Sequence, residues 1–525
     1  MLPTDHPAAP GRDASDRRRR RRPAALVATL VGLALLLAGC LAPKNQTTVE
    51  SPRAHASGSA GPLAAFYDQA LEWRSCHQGE CATAQVPLDY ADPSAGSIDL
   101  ALARSTASGG DPLGSLLLNP GGPGASGIDF LEQAKGMISD DVQERYDLVA
   151  FDPRGVQRSN PVHCVSDAEL DRLIAFDPDY STDAGIQHVI DVYGDYGNAC
   201  KKNTGAALGH IDTVSAARDL DVLRSALGDD QLHYLGFSYG TELGATYAAL
   251  FPTTVGRMVL DGALPPTLTS AELAEGQAAG FEGALRAYVA DCQKGRSCPL
   301  TGTVDDGMSQ VRRLLDRARA NPLPTTSDRD LTASLAFYGI ALPLYSQDSW
   351  TYLTQALDAA IRKGDGSGLL QLADIYSDRE ADGTYSTNSL DAFNAINCVD
   401  TPHDAQPDFE AMRAEAAQIN TVAPTVGSFF GFGDTVCAKW PVPAIDPLPD
   451  YSAPGAPPIV VVGTTNDPAT PYTWAEKLAD LLSTGVLLTY EGEGHTAYGS
   501  SNDCIADAVD TYLLGGDAPA AGTRC

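Results

Sequence analysis

Gly236-Phe237-Ser238-Tyr239-Gly240 follows the apolar run Leu232-His233-Tyr234-Leu235 and precedes Thr241-Glu242-Leu243-Gly244-Ala245-Thr246-Tyr247, a stretch of helix formers. A serine between a strand and a helix, with glycine two residues to either side, reads as a nucleophile elbow. Its hydroxyl is held above the sheet on a strained turn, while the glycines let the neighbouring backbone pack close. The helix beginning there points free N–H groups and the positive end of its dipole at the reacting atom. An ordinary strand-to-helix turn is the competing reading of this short motif.

A serine nucleophile needs a base, and the base needs an orienting acid. With the elbow first, the chain order is serine, acid, histidine. His495 meets that order in the glycine-rich loop Glu491-Gly492-Glu493-Gly494-His495, directly after a strand at 485–489. His403 also follows Ser238, but it sits beside Pro402 and Asp404 as a solvated loop residue. Asp467, in Gly463-Thr464-Thr465-Asn466-Asp467-Pro468, is the preferred acid because its loop precedes the strand that ends at His495. Asp467 has a second reading as the N-cap of a helix starting near Tyr472. Asp261, ending the strand at 257–260, is the rival acid.

The oxyanion of a tetrahedral intermediate needs N–H donors, one from the residue after the nucleophile and one from a loop after an early strand. Tyr239 supplies the first. Asn119-Pro120-Gly121-Gly122-Pro123-Gly124 follows the strand-like Leu116-Leu117-Leu118 and supplies the second; Gly122 is assigned, with Gly121 as the alternative.

Further out, strand-like runs at 113–118, 146–151, 231–235, 257–260, 458–462 and 485–489 alternate with helical periodicity, such as Leu220, Leu223 and Leu227 before Gly228. Strands alternating with helices predict an α/β architecture with a mostly parallel sheet covered on both faces. Between 266 and 448 the strand signal nearly vanishes, and 271–291, 304–320, 349–363 and 409–419 read as amphipathic helices. This block is expected to be a helical cap inserted between two core segments, 63–265 and 449–525, over the sheet edge where such folds bind ligands.

Ahead of the core, residues 17–22 are six arginines, followed by an apolar stretch at 24–38 and Leu37-Ala38-Gly39-Cys40. That pattern reads as a signal peptide over 1–40 with a lipoprotein box, cut before a lipidated Cys40. An uncleaved membrane anchor is the alternative, and the choice between general and twin-arginine export is open. Residues 41–62, rich in Ala, Ser, Pro, Thr and Gly, read as a flexible tether. Of the 11 cysteines, Cys40 set aside leaves ten, an even set that fits five disulfides in an oxidising compartment. Pairing between nearest neighbours along the chain is the expectation. No Cys-x-x-Cys or zinc-type histidine spacing occurs, so no metal and no cofactor is implied. The 67 acidic and 36 basic residues give a net charge of −31; losing three aspartates and seven arginines with residues 1–40 leaves 64 against 29, or −35. Such a field disfavours nucleic acid and favours cationic substrates.

Gly121-Gly122-Pro123-Gly124, Phe151-Asp152-Pro153-Arg154-Gly155, Gly236-Phe237-Ser238-Tyr239-Gly240-Thr241, Gly256-Arg257-Met258-Val259-Leu260-Asp261-Gly262 and Gly494-His495-Thr496-Ala497-Tyr498 resemble the secreted tripeptidyl aminopeptidases of actinobacteria. These are α/β-hydrolase serine peptidases related to prolyl iminopeptidases, and the resemblance runs over 66–525. It implies an α/β-hydrolase fold, the triad Ser238, Asp467 and His495, and removal of short peptides, tripeptides above all, from free N-termini. An esterase or lipase using the same triad is the alternative. Two departures stand out: Asn119-Pro120 where prolyl iminopeptidases carry a histidine, and Gln157 where glycine is more usual. Asp152 and Arg154 are expected to form a structural ion pair. A cap over the sheet edge would admit only a chain end, and the cationic α-amine of that end calls for a carboxylate. Glu242, one turn beyond the nucleophile, and Asp400, in the cap segment Asn397-Cys398-Val399-Asp400, are the candidates. Glu242 complementing its helix N-terminus and Asp400 capping a turn are their alternative readings.

Overall fold

The computed structural model describes residues 61–525, together with the backbone of a two-residue strand, Thr48–Val49. The arginine run, the apolar stretch, Cys40 and nearly all of the 41–62 tether lie outside the described residues.

Described strands are β1 (Thr48–Val49), β2 (Glu72–Cys76), β3 (Gly79–Pro87), β4 (Ser97–Ser105), β5 (Gly114–Asn119), β6 (Tyr146–Phe151), β7 (Leu232–Phe237), β8 (Val255–Asp261), β9 (Ile459–Asn466), β10 (Gly485–Glu493) and β11 (Thr523–Arg524). They form one sheet in the order β1-β2-β3-β4-β6-β5-β7-β8-β9-β10-β11. Pairing is antiparallel from β1 through β4 to β6, and parallel from β6 onward. This is the α/β-hydrolase fold, with the elbow at the end of the central strand β7.

Continuous apolar sequence makes the parallel strands, because both of their faces are covered. In β5, Leu117 joins one core cluster while Leu116 and Leu118 join the other. In β9, Ile459 and Val461 point one way, Val460 and Val462 the other. Fully burying each such side chain contributes about 1.5–3 kcal/mol before chain entropy is set against it. All six strands read from the sequence are present, and β1, β2, β3, β4 and β11 are additional. In β3 only Ala82, Ala84, Val86 and the terminal Pro87 are buried, so its inward face is mostly alanine and carries a weak strand signal.

Between the neighbouring parallel strands β8 and β9 the chain is helical, including Ser270–Cys292, Val304–Ala320, Ala333–Leu344, Ser367–Tyr376, Ser389–Asp400 and Phe409–Val422. Most of these helices share a hydrophobic cluster of their own, to which the core contributes Ala469. The helix Ser389–Asp400 instead buries Ala392, Ala395, Ile396 and Val399 in the cluster of the sheet. Disulfides join Cys76–Cys81, Cys164–Cys200, Cys292–Cys298, Cys398–Cys437 and Cys504–Cys525, each the nearest-neighbour pair along the chain.

One expected contact is corrected. Asp152 and Arg154 do not pair with each other: Arg154 forks onto Asp219 through Nε and Nη2, while Asp152 pairs with Arg158 at 3.0 Å. Adjacent side chains on the loop after β6 leave in opposite directions, and each meets its own partner.

Candidate active site

Every candidate residue of the reaction centre sits at or just beyond the C-terminal end of a parallel strand. Ser238, immediately after β7, has φ 55° and ψ −125°, a left-handed backbone that a non-glycine residue adopts only under local constraint. Its N–H donates to the Asp261 carbonyl at the end of β8, and its own carbonyl accepts from the Thr241 hydroxyl at 2.6 Å. The flanking glycines are needed for space. A Cβ on Gly236 would lie 2.4 Å from the Gly240 carbonyl oxygen, and one on Gly240 would lie 2.8 Å from the Asn119 oxygens.

Asp467 and His495 meet beyond β9 and β10. Both carboxylate oxygens stand 2.9 Å from His495 Nδ1. Asp467 is buried, and its Oδ1 also accepts from the backbone N–H groups of Ala469 and Thr470, each at 2.9 Å. Oδ2 accepts from the Thr470 hydroxyl at 3.1 Å. The helix Tyr472–Leu481 begins at Pro471 without a side-chain cap, so Asp467 is not its N-cap. Burial by itself would depress the His495 pKa, but the Asp467 carboxylate, helped by Asp261, outweighs it and holds the imidazole above its ordinary value.

Asp261 is fully buried and aims elsewhere: its carboxylate accepts the backbone N–H groups of Ala497 and Tyr498 at 2.8–3.1 Å. It anchors the histidine loop instead of touching the ring. Desolvation pushes it up to about 6, against the pull of those two N–H groups. The two strand ends are close, since a Cβ on Gly262 would approach His495 Cε1 to 3.2 Å.

The glycine turn after β5 closes over the elbow. A Cβ on Gly121 would fall 2.5 Å from the Phe237 carbonyl oxygen and 2.9 Å from Ser238 Cβ. The Gly121 N–H is taken by Asn119 Oδ1 at 2.9 Å, so Asn119 braces the turn. Among the described residues, neither the Gly122 nor the Tyr239 N–H has a hydrogen-bond acceptor. Gln157, where glycine was more usual, has φ 41°, a conformation glycine adopts at no steric cost; its N–H donates to Asn388 of the helical insertion.

Glu242 lies close enough to Asp400 for its charge to raise the proton affinity of Asp400. Burial pushes Glu242 up to about 7, and burial followed by the Glu242 charge raises Asp400 well above the carboxylate range. Asp400 accepts from the Thr213 N–H at 2.8 Å and the Thr213 hydroxyl at 2.6 Å; that hydroxyl also meets the Tyr239 hydroxyl at 2.6 Å. Among the described residues neither Glu242 nor Asp400 has a cationic partner.

Three contributors carried no signal in the sequence. Thr470 bridges acid and base, its hydroxyl 3.1 Å from Asp467 and 3.3 Å from His495 Nδ1. Tyr345, from the insertion, receives the His495 backbone N–H on its carbonyl at 2.9 Å and sets its ring edge to face against the imidazole. Thr213 links Asp400 to the nucleophile's turn. His403, half-buried, bonds the Thr401 carbonyl and takes no part. Among the described residues no group of three or more His, Cys, Asp or Glu side chains is arranged to hold a metal ion.

Residues 423–525 match the family model described as TAP-like protein. Over 522 residues the chain is 39% identical to the serine protease Hip1 of Mycobacterium tuberculosis, covering 95% of this chain and 96% of that one. It is 42% identical over 527 residues to carboxylesterase B of the same species, covering 96% and 99%. It is 31% identical over 468 residues to the tripeptidyl aminopeptidase of Streptomyces coelicolor, covering 87% and 85%.

Proposed function

The chain belongs to the actinobacterial TAP-like family of α/β-hydrolases and is a serine hydrolase, and from that premise we propose that it is an exported exopeptidase releasing tripeptides from free N-termini. In this reading Ser238 Oγ attacks the scissile carbonyl carbon as His495 Nε2 takes its proton. Asp467 holds the Nδ1 proton, which fixes the tautomer and stabilises the imidazolium. The oxyanion accepts from the Tyr239 and Gly122 N–H groups, neither of which has an acceptor among the described residues. His495 then hands its proton to the departing amine, leaving an acyl-enzyme. Water, deprotonated by the same histidine, attacks that ester and frees Ser238.

The observation that carries the peptidase reading is the pair Glu242 and Asp400. Two neighbouring carboxyl groups in a desolvated site hold on to their protons unless a cation comes between them. They are joined through Thr213 to Tyr239, next to the nucleophile. A substrate α-ammonium supplies the missing charge, and an ester or lipid does not. The second reading, a carboxylesterase, is favoured by the 42% relative of that name.

Export is supported by the five disulfides. Lipid attachment at Cys40 is part of the proposal, and mass spectrometry of the mature N-terminus checks it. For the reaction, fluorophosphonate labelling of Ser238 followed by rates on tripeptide amides and on matched esters separates the readings. A peptidase turns over the free-amine amides and loses that ability in Glu242→Gln; an esterase cleaves only the esters and is indifferent to residue 242.

A further inference from the structure

Three tyrosines of the insertion form a run of ring contacts leading away from His495, and the reaction proposed above uses none of their rings. Tyr345 meets the imidazole edge to face with centroids 5.2 Å apart. Tyr376 meets Tyr345 at 6.3 Å, and Tyr338 stacks on Tyr376 at 5.2 Å with planes 18° apart. All three residues are partly exposed.

The one carboxylate at the head of this wall is committed within the protein. Asp177, at the head of the helix Ala333–Leu344 that carries Tyr338, commits its carboxylate to the N–H groups of Ala333 and Ser334 and to the Ser334 hydroxyl. Aromatic faces with a few polar tips are the lining of a site for a large apolar or aromatic group.

The position of the wall selects which substrate residue meets it. Glu242 and Asp400 are tied to the nucleophile's turn through Tyr239, whereas the tyrosines are tied to the base through Tyr345. A peptide anchored by its amine at the carboxylates and crossing Ser238 delivers its leaving half to the histidine that protonates it. We propose that Tyr345, Tyr376 and Tyr338 form a leaving-side subsite that favours an aromatic or large aliphatic residue directly after the cut bond. This rests on the peptidase reading above.

The test uses the full-length protein and two peptide series, Ala-Ala-Ala-Xaa-Ala amides and Ala-Ala-Xaa-Ala-Ala amides, with Xaa as Phe, Leu, Ala or Asp. Wild-type enzyme is expected to prefer Phe over Ala after the cut bond by about 10-fold or more in kcat/KM. In Tyr338→Ala and Tyr376→Ala that ratio is expected to fall to about threefold or less, and in Tyr338→Phe to stay between the two. Each ratio is taken within one enzyme, so a loss of folded protein cancels. A flat wild-type ratio, a preference that follows the residue before the bond, or a ratio unchanged in both alanine variants overturns the subsite alone. Failure of wild-type enzyme to cleave any of these peptides overturns the peptidase reading together with it.

Discussion

The Asp467 carboxylate presents both oxygens to His495 Nδ1 at 2.9 Å, while the other buried aspartate of the site, Asp261, is turned to the backbone N–H groups of Ala497 and Tyr498. Two aspartates that obey the same order along the chain therefore hold different jobs, one on the ring and one on the loop that carries the ring.

Substitution separates them. In Asp467→Asn the amide oxygen can keep the Ala469 and Thr470 N–H groups, which leaves its NH2 facing Nδ1 and forces the wrong tautomer. We expect kcat to fall by about 10⁴ with little loss of folded protein. Asp261→Asn loses an acceptor for one of two buried N–H groups, at a cost of about 1–3 kcal/mol, and should show mainly in thermal unfolding. Near-full activity in Asp467→Asn alongside inactive, folded Asp261→Asn would reverse the assignment.

The pH profile follows from the same groups. His495 must be neutral to act as base, and its pKa is held above the ordinary 6.5, so kcat/KM on an uncharged ester should rise with pH through a midpoint above 6.5. Asp467→Asn moves that midpoint to lower pH. Glu242 behaves in the opposite sense for stability. Its folded pKa, about 7, lies above the usual 4.5, so the folded state binds its proton more tightly, and stability is lost as pH rises from 4.5 through 7. Glu242→Gln is expected to raise Tm relative to wild type above pH 7 and to lose that advantage below pH 4.5. Thermal scans at both ends of the range check it.

The glycine turn gives a third outcome. Gly121→Ala places a methyl against the Phe237 carbonyl and Ser238 Cβ at a φ of 99°, displacing the turn that carries the Gly122 N–H. Loss of one oxyanion donor lowers kcat by about 10²–10³, and KM should change little.

The bridge Cys398–Cys437 closes a separation of 39 residues two positions before Asp400. Replacing both cysteines by alanine is expected to lower stability by about 2–4 kcal/mol. It should also raise KM for free-amine peptides more than for esters, because Asp400 loses its support. Equal changes on the two substrates would detach the bridge from amine binding.

The elbow geometry and the contact of Asp467 with His495 were legible because each part carries a local signature. Ser238 lies between two glycines that must lack a Cβ, and His495 and Asp467 sit in loops directly after continuous apolar strands. Parity gave five disulfides but not their connectivity; the nearest-neighbour pairs match an expectation that no spacing enforced. Asp152 and Arg154 misled because proximity in sequence says nothing of direction on an irregular loop. The strand β3 was missed because it buries alanines in alternation with polar residues, and β2 because Trp73 is its one buried residue; β4, with Ile98, Leu100 and Leu102 buried in alternation, carried a signal that was not read. Tyr345, Thr213 and the tyrosine wall were invisible for a different reason: they reach the site by tertiary packing from elements more than a hundred residues from His495, and a lone tyrosine on a helix reads as core.

The central claim is that this serine hydrolase recognises a free α-amine through Glu242 and Asp400, and the most direct measurement compares a tripeptide amide with its N-acetylated form. Acetylation removes the positive charge and adds bulk at the amine-binding end. The account predicts turnover of the free peptide and none of the blocked one, with fluorophosphonate labelling of Ser238 intact. Equal rates on both, or cleavage within long blocked peptides, would contradict it.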